Sequence, residues 1–356
     1  MEITNIPHFF KNKKVFITGH SGFKGSWLAK TLDMFGAKVF GYSLKPDLEF
    51  NHFDLIEFNK NGVFSDLSNF DKLSLSIKNF KPEIVFHLAA QPLVIQSYLN
   101  PIGTYKTNVI GTLNLLEAMK DVDSIKSAVI ITTDKVYKNL EKETFYKETD
   151  VLGGFDMYSS SKACCEILTE SFRNSFFNID SYGKNHNLLI STARAGNVIG
   201  GGDWAKNRLI PDLVNSAVNG KTVEIRNPSS VRPWQHVLDC ISGYLLLGAT
   251  LYNSKIKNSG SWNFSPNKDE IFDVETISNL SKDSWIDIDY KVLNTDKKFH
   301  EANLLMLDNK KAQNELGWKP KWDTKYSVLK TIEWYKNFYI SKKIKTESDI
   351  TDYFNL

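Results

Sequence analysis

The feature that most constrains the fold is a regular alternation of short apolar runs with longer segments of helical spacing. Nearly continuous apolar runs, of the kind expected for buried strands, cover residues 14–18, 83–89, 127–133 and 188–194. Apolar residues with helical spacing occupy the intervals between them. This alternation predicts an α/β fold in which a parallel sheet is covered by helices on both faces, the doubly wound architecture. Such sheets bind their ligands beyond the carboxyl ends of the strands.

The alternation stops after Asn197, and the chain divides there. Residues 1–196 are expected to form the sheet domain, with 236–260 returning to it. Residues 197–235 and 261–356 combine short strand candidates, helices and many aromatic residues. They are expected to form a smaller, C-terminal substrate-binding lobe.

Composition excludes several classes of function. The net charge of +3 over 356 residues is too small for a concentrated nucleic-acid surface. No apolar run approaches the roughly 20 residues of a membrane helix, and residues 1–14 lack the apolar centre of a signal peptide. Three cysteines without metal-ligand spacing predict free thiols, no metal site and a cytoplasmic location.

A glycine-rich turn follows the first predicted strand and opens the first helix. Its glycines, Gly19, Gly22 and Gly25, are spaced three apart. Without side chains, the backbone lets a pyrophosphate reach the amino end of the helix. Because strand, turn and helix occur in the required order, the motif predicts a dinucleotide site. Its alternative is a tight turn without a ligand.

The end of the second strand departs from the usual dinucleotide pattern. An acidic residue is expected there to bind the ribose, but this chain has Ser43, Leu44 and Lys45. Ser43 offers a hydroxyl partner for the ribose, whereas Lys45 favours the extra phosphate of NADP. These residues alone leave NAD and NADP open. Asp66, after the third strand, is a candidate acceptor for the adenine amino group.

Tyr158 and Lys162 lie four residues apart and therefore on one face of a helix. Together with the glycine turn and Thr132-Thr133 at a strand end, they form the constellation of extended short-chain dehydrogenases. A tyrosine with an ordinary pKa near 10 needs its pKa lowered by about 3, or roughly 4 kcal/mol, to act as a base near pH 7. One cation at about 4 Å supplies roughly that much, and Lys162 and the positive nicotinamide ring together are expected to meet the demand. A structural Tyr with a surface Lys is the alternative.

Several longer segments resemble the CDP-glucose 4,6-dehydratases over nearly the whole chain. The most specific are the stretches around Arg194–Trp204 and Arg232–His236, where wider sugar-nucleotide relatives differ. The similar segments are Thr18-Gly-His-Ser-Gly-Phe-Lys-Gly-Ser-Trp27, His87-Leu-Ala-Ala-Gln-Pro-Leu-Val94, Thr132-Thr-Asp-Lys-Val-Tyr137, Tyr158-Ser-Ser-Ser-Lys162, Ala193-Arg-Ala-Gly-Asn-Val-Ile-Gly-Gly-Gly-Asp-Trp204, Ile225-Arg-Asn-Pro228 and Val231-Arg-Pro-Trp-Gln-His-Val237.

This resemblance implies a Rossmann-type sheet domain that binds NAD, and a reaction that oxidises, dehydrates and re-reduces one hexose. Tyr158 would take the proton of the C4 hydroxyl, with Thr133 bonded to the C4 oxygen. Asp134 would protonate the departing C6 hydroxyl, and neutral Lys135 would remove the C5 proton. A strand-end salt bridge is the alternative for Asp134. A product for surface polysaccharides such as lipopolysaccharide is implied, as is a homodimer through the helices at Thr104 and Tyr158.

The remaining candidate residues line the expected cofactor and substrate sites. Arginines suit the diphosphate of the nucleotide because their planar fork matches phosphate oxygens. The cofactor candidates are Gly19, Ser21, Gly22, Phe23, Lys24, Gly25, Ser43, Asp66, Leu67, Ala89, Ala90, Gln91, Thr107, Thr132, Tyr158 and Lys162. The substrate candidates are Gln91, Asn108, Arg194, Asn197, Arg208, Arg232, Gln235 and His300.

Three other functions are compatible with part of this pattern. A dehydratase of another nucleotide sugar shares the glycine turn and the Tyr-Lys pair, but related dehydratases of other sugar nucleotides carry Asp-Glu where this chain has Asp134-Lys135. A sugar-nucleotide 4-epimerase shares the glycine turn and the Tyr-Lys pair but needs no acid and base at C5 and C6, so Asp134-Lys135 favours dehydration. A non-catalytic dinucleotide sensor would have no use for both Tyr158 and Lys162.

Overall fold

A seven-stranded, wholly parallel sheet forms the centre of the molecule, with the strand order β3-β2-β1-β4-β5-β7-β12. The structure is a computed structural model and describes residues 3–225, 227–293 and 304–356. The strands of the described chain are β1 Lys14–Thr18, β2 Lys38–Ser43, β3 Gly62–Phe64, β4 Ile84–His87, β5 Ser127–Ile131, β6 Phe145–Tyr146, β7 Leu189–Ala195, β8 Val198–Ile199, β9 Val223–Ile225, β10 Val231–Arg232, β11 Gln235–His236, β12 Ser261–Phe264, β13 Phe272–Asp273, β14 Tyr290–Val292 and β15 Met306–Leu307.

Helices connect the parallel strands. Short 3-10 and π segments extend several of them, and a π segment at Lys106–Ile110 joins α6 to α7. The α-helices of the described chain are α1 Ile6–Phe10, α2 Phe23–Met34, α3 His52–Leu55, α4 Phe70–Phe80, α5 Val94–Leu99, α6 Pro101–Tyr105, α7 Gly111–Met119, α8 Met157–Phe176, α9 Leu209–Asn219, α10 Val237–Tyr252, α11 Val274–Ser284, α12 Thr324–Lys336 and α13 Thr346–Phe354.

Two apolar layers cover the sheet, which explains the continuous apolar runs in its strands. Successive residues of β1 alternate between them: Val15 and Ile17 face one layer, and Phe16 faces the other. The first layer includes α2 and α10, and the second includes α4, α7 and α8. The doubly wound α/β fold predicted from the sequence is therefore confirmed.

The C-terminal lobe consists of small two-stranded sheets and helices, and it shares the first apolar layer with the sheet domain. Its two-stranded sheets include β9 with β14 and β10 with β13. Trp318 and Trp334 are fully buried in the same cluster as Val15 and Ile17. The buried tryptophans of the lobe therefore pack in the core of the sheet domain, and this packing holds the lobe over the sheet.

One boundary predicted from the sequence is wrong in the structure. Residues 261–264 were expected in the lobe, but β12 pairs with β7 and forms an edge of the main sheet. Trp262 and Phe264 are both fully buried there. The sequence of a four-residue strand does not indicate which strand it pairs with. The packing of these two rings places β12 at the edge of the main sheet.

Within the described ranges, none of the helices combines the length and apolar character needed to cross a bilayer. Cys164, Cys165 and Cys240 are all free thiols. In the same residues, no cluster of three His, Cys, Asp or Glu side chains is arranged to hold a metal ion.

Candidate active site

A cavity of about 1110 Å³ lies between the carboxyl ends of the sheet strands and the lobe. Its walls come from the start of α2, the segments after β4 and β5, the first turns of α8, and lobe residues before α9 and around β9 and β10. It lies where the strand order reverses, since β1 is flanked by β2 on one side and β4 on the other. This is the position at which doubly wound sheets bind ligands.

The glycine turn brings β1, β4 and α2 close together. Gly19 has a φ of +74°, and a Cβ there would lie 2.6 Å from the Ala89 nitrogen. A Cβ on Gly25 would overlap the Gly19 carbonyl. Gly22 is the N-cap of α2 without a side-chain cap, and a Cβ there would have only the Gly19 oxygen, at 3.4 Å, as a close neighbour. The amino end of α2 is therefore open to an anion such as a pyrophosphate.

The end of β2 carries a hydroxyl network where an acidic residue was expected. The buried Ser43 hydroxyl donates to the Ser21 hydroxyl at 2.8 Å and lies 3.0 Å from His20 Nδ1. Burial lowers the pKa of His20 to about 4, so the ring is neutral at pH 7. His20 was not identified from the sequence. Asp66 is exposed two residues after β3, and its Oδ1 accepts from the Ser68 nitrogen at 2.7 Å.

Tyr158 and Lys162 line the cavity from the first two turns of α8. Asp156 caps this helix by accepting from the Ser159 nitrogen at 2.9 Å. The buried Lys162 ammonium donates to the Ile131 carbonyl at 2.8 Å and is thereby tied to the end of β5. The helix cap and this bond fix both side chains at the carboxyl edge of the sheet.

Burial dominates the electrostatics of Tyr158. In the protein alone, burial raises the pKa of Tyr158, while hydrogen bonding to the Thr133 hydroxyl and the charge of Arg208 lower it. Burial also lowers the pKa of Lys162. Desolvation is thus the largest effect on the pKa of Tyr158. The hypothesis that Lys162 and the positive nicotinamide ring together bring this pKa near neutrality stays a prediction.

Asp134 and Lys135 follow the end of β5 and contact each other. Asp134 is fully buried, and its Oδ1 accepts from the Thr133 hydroxyl at 2.9 Å and from Lys135 Nζ at 3.2 Å. Its Oδ2 is buried without a hydrogen-bond partner in the described structure. Lys135 lines the cavity with 28% of its side chain exposed. The Lys135 amine thus faces the cavity, and the Asp134 carboxyl group lies directly behind it, outside the cavity wall but within one proton transfer of the amine.

Three of the predicted substrate residues, Asn197, Arg208 and Arg232, line the cavity. Arg208 donates to Asp203 Oδ2 at 2.6 Å, and this carboxylate raises the pKa of Arg208. The half-buried Lys24 also lines the cavity, where burial lowers its pKa and the charges of Arg208, Lys162 and Asp134 act on it. These cations form an electropositive wall suited to a diphosphate. Phe23, Ala90 and Thr132 line the same cavity.

Arg194 was expected to bind substrate, but its side chain is only 2% exposed and is absent from the cavity wall. Its guanidinium donates to Glu166 at 2.8 Å and to the Tyr137 hydroxyl at 2.8 Å. Gln235 is also buried, and its amide donates to the Phe264 carbonyl at 2.8 Å. Both side chains support the fold behind the cavity, so the substrate role is wrong for them in this structure.

Gln91 and Asn108 bond to each other's segments instead of facing the cavity. Asn108 Oδ1 accepts from the Gln91 nitrogen at 2.8 Å, and its amide donates to the Ser161 hydroxyl at 2.8 Å. The Gln91 amide donates to the Thr104 hydroxyl at 3.0 Å. They position the loop after β4.

Four further candidates, from the cofactor and substrate sets, do not line the cavity or lie outside the described residues. Leu67 is buried in the second apolar layer and contributes no polar side-chain group. Ala89 and Thr107 do not line the cavity. His300 lies outside the described residues.

A scan against family models matches residues 16–331 to the family described as GDP-mannose 4,6 dehydratase. Among curated proteins, the chain is 45% identical over 350 residues to CDP-glucose 4,6-dehydratase of Salmonella typhimurium, covering 97% of each chain. It is 26% identical over 339 residues to CDP-paratose 2-epimerase of Salmonella typhi, covering 90% of this chain and 98% of that protein.

Solved structures share the fold at low identity. A dTDP-glucose 4,6-dehydratase from Streptomyces venezuelae, solved with NAD and TYD bound, superimposes with a TM-score of 0.76 at 21% identity, covering 91% of this chain and 97% of that one. An epimerase from Methanothermobacter thermautotrophicus gives a TM-score of 0.83 at 22% identity, covering 95% and 96%. Since dehydratases and epimerases both superimpose, the fold alone does not separate these reactions.

Proposed function

The chain belongs to the GDP-mannose 4,6-dehydratase family, and from this premise we propose that it is an NAD-dependent CDP-glucose 4,6-dehydratase. The observation that carries the proposal is 45% identity over 97% of both chains to an enzyme of that name. The contact between the buried Asp134 and Lys135, which lines the cavity, supports dehydration, because a 4-epimerase needs no acid and base at C5 and C6.

The residues of the glycine turn fit a dinucleotide cofactor. The uncapped amino end of α2 and the bare backbone at Gly22 suit its pyrophosphate, and the Ser21–Ser43 hydroxyls suit its ribose. When bound, NAD accepts a hydride from the sugar and returns it later in the same turnover. NAD is preferred over NADP because of the family resemblance, since Ser43 and Lys45 leave both open.

Tyr158 is proposed as the base for the C4 hydroxyl. Its oxygen shares the cavity with the Lys162 ammonium, and the Thr133 hydroxyl is hydrogen-bonded to it. Because burial raises the pKa of Tyr158 in the protein alone, removal of its proton requires additional positive charge in the cavity. Lys162 and Arg208 supply part of that charge, and Thr133 holds the C4 oxygen beside the phenol.

Asp134 and Lys135 are proposed to perform the elimination as a unit. Transfer of one proton from Lys135 Nζ to Asp134, across 3.2 Å, converts the ion pair into a neutral amine and a carboxylic acid. The amine removes the C5 proton, which the 4-ketone has made acidic, and the acid protonates the C6 oxygen as it leaves as water. The pair then holds the same number of protons as before.

The cationic wall is proposed to hold the nucleotide diphosphate. Arg208 and Arg232 line the cavity toward the lobe, and Asn197 adds an amide between them and the sheet. The choice of CDP over other nucleotides, and of glucose over other hexoses, rests on the relative with 45% identity.

The direct test is incubation of the NAD-loaded protein with a panel of nucleotide sugars. CDP-glucose is expected to lose the mass of one water and to give the alkaline ultraviolet absorbance of a 4-keto-6-deoxy sugar. An unchanged mass with an inverted C4 centre would identify an epimerase instead. Loss of water from a different nucleotide sugar would retain the reaction and correct the substrate.

Replacement of the phenol separates an enzyme from a sensor. Tyr158→Phe removes the proton acceptor and is expected to lower kcat by a factor of about 100 or more, with NAD affinity changed by less than about threefold. Tryptophan fluorescence reports the affinity. A non-catalytic sensor would show no turnover to lose in the unsubstituted protein.

A homodimer through the helices near the active site is proposed as the working assembly. Four apolar side chains on neighbouring helices of this face are exposed: Leu99 (70%) on α5, Ile102 (69%) on α6, Leu113 (36%) on α7 and Ile167 (56%) on α8. Contiguous exposed apolar side chains favour a protein contact. A cytoplasmic location and supply of deoxysugars for surface polysaccharides such as lipopolysaccharide complete the proposal.

A further inference from the structure

A buried carboxylate behind the cavity collects donors from several elements that frame the active site. Glu166 lies on α8 with 3% of its surface exposed. One of its oxygens accepts from the hydroxyl of Thr132, directly after β5. The other accepts from Thr192 at 2.6 Å and Arg194 at 2.8 Å on β7, and from Ser261 at 3.4 Å on β12.

These bonds join the two parts of the chain that carry the proposed catalytic groups. Glu166 stands one helical turn beyond Lys162 on the same face of α8, so its bonds hold that face of the helix one turn further from the cavity. Thr132 immediately precedes Thr133 and Asp134, so its hydroxyl fixes the segment from which both project. The mechanism proposed for dehydration assigns no role to this carboxylate, which does not line the cavity.

We propose that Glu166 is a positioning residue for the 4,6-dehydration: it locks the Thr133–Asp134 segment against α8 and places a negative charge behind the Lys162 ammonium. The inference rests on the proposed function, since the groups positioned are those assigned to dehydration. A carboxylate buried with four donors is costly to desolvate, and an apolar contact would have held the helix and strands together without that cost.

The charges around Lys162 determine the sign of the effect. Glu166 and Cys165 on its own helix favour the charged ammonium, burial opposes it, and Lys24 and His87 face the same region from α2 and β4. Glu166 itself faces Arg194 on β7 and, further along α8, Arg173. Removing the negative charge takes away one of the groups that favour the ammonium, so the pKa of Lys162 falls and the Tyr158–Lys162 pair releases its protons at lower pH.

The test is Glu166→Gln, which keeps the shape and removes the charge. Glu170→Gln is the matched control, because Glu170 lies one turn further along the same helix and is exposed. The single variant leaves the buried Arg194 without the carboxylate that neutralises it. The double variant Glu166→Gln/Arg194→Met removes both charges, so it tests the loss of the Glu166 charge without an uncompensated buried cation. Measurements on NAD-loaded protein are kcat and KM for CDP-glucose from about pH 5 to 10, with the thermal midpoint Tm.

In Glu166→Gln, kcat is expected to fall about tenfold or more with KM changed by less than about threefold. The acid limb of the kcat/KM profile moves to lower pH by about half a unit or more, and the double variant moves in the same direction by less. In the control Glu170→Gln, kcat, KM and the pH profile are expected to match those of the unsubstituted protein. An acid limb that stays in place in both Glu166 variants, whatever happens to kcat and Tm, would reduce Glu166 to a packing role and overturn the proposal.

The proposed function can fail separately. If the unsubstituted protein dehydrates another nucleotide sugar, the same profiles are measured with that substrate. If it turns over none, dehydration is rejected, and the pH dependence of NAD affinity, followed by tryptophan fluorescence, reports the ionisation of the same pair. A shift to lower pH in Glu166→Gln then supports the electrostatic part of the inference, and its absence overturns it.

Discussion

Asp134 and Lys135 show how neighbouring residues acquire complementary roles from their surroundings. They are adjacent in sequence, yet Asp134 is fully buried and Lys135 keeps 28% of its side chain exposed in the cavity. The alternative considered from the sequence was a salt bridge between Asp134 and another lysine, whereas the structure pairs Asp134 with Lys135 itself. This ion pair joins the two groups proposed as acid and base, so it is compatible with their catalytic roles.

Lys135→Met tests the proposed C5 base. The change retains the aliphatic stem and removes the amine, so dehydration is expected to slow by a factor of about 100 while CDP-glucose affinity changes by less than about threefold. Product formation and incorporation of solvent deuterium at C5 are the measurements. Lys147→Met, at an exposed position on the following loop, serves as the control. Unchanged turnover would remove Lys135 from the mechanism.

Asp239 gives the stability of the protein a predictable pH dependence. This fully buried carboxyl accepts from the Tyr353 hydroxyl at 2.6 Å, and burial raises its pKa from 3.8 to about 7. The folded chain therefore binds a proton more tightly than the unfolded chain. The contribution of Asp239 is most favourable below about pH 4 and is lost as the pH rises to about 7.

Asp239→Asn keeps an acceptor for Tyr353 and removes the titration. Relative to the unsubstituted protein, its free energy of unfolding is expected to rise progressively between about pH 4 and 7, by an amount on the order of 4 kcal/mol. Urea unfolding at several pH values measures this difference. A difference that is constant over the interval would contradict the prediction.

The residues of the site were predictable only where a short motif fixes them. The Tyr158–Lys162 spacing is local, and both side chains line the cavity; the glycine turn is also local, and Phe23 and Lys24 at the start of α2 line the same cavity. Arg194 belongs to an equally specific segment, but its side chain points behind the sheet toward Glu166. Which face of β7 it occupies depends on strand pairing across the sheet, and no local spacing contains that information.

At the scale of elements, length decided how well the sequence predicted the structure. The first strand, Lys14–Thr18, has the bounds predicted from its apolar run, and α8 extends the predicted helix at 158–173 by only a few residues. Short strands in the lobe were harder to predict, because strands of two or three residues are stabilised by partners far along the chain. β12, whose partner β7 lies about 70 residues earlier, was misplaced for the same reason.

The helix α13 is held by a polar contact that can be tested alone. The Thr346 hydroxyl lies 2.8 Å from His52 Nε2 and accepts from Trp334 Nε1 at 3.0 Å, and all three side chains are buried. Thr346→Val keeps the shape and leaves both partners unsatisfied, so the free energy of unfolding is expected to fall by about 1–3 kcal/mol. Urea unfolding measures the loss.

Ser348→Ala is the control for this element, because it removes an exposed hydroxyl from the same helix. It is expected to change stability by less than about 0.5 kcal/mol. An equal loss of unfolding free energy in both variants would mean that α13 is sensitive to any change of side chain. That result would contradict the prediction that the buried Thr346 contact stabilises the helix.

At the scale of the whole molecule, the exposed apolar residues near the active site predict an assembly. Leu99→Lys/Ile102→Lys places two charges in the proposed interface, and the protein is expected to become monomeric with its thermal midpoint lowered. Sedimentation velocity measures the mass. Ile286→Lys, at a 77% exposed position after α11, should leave the assembly unchanged. A monomeric unsubstituted protein would contradict the dimer.

The contacts of α13 also bear on how the molecule is made. Phe354 packs against Phe35 with ring centroids 5.0 Å apart, and Thr346 bonds to His52. A ribosome therefore releases the surroundings of the first Rossmann helix hundreds of residues before the segment that covers them. Until that segment emerges, apolar surface beside Phe35 stays open to water and to chaperones, so completion of the nucleotide-binding half waits until α13 has been synthesised.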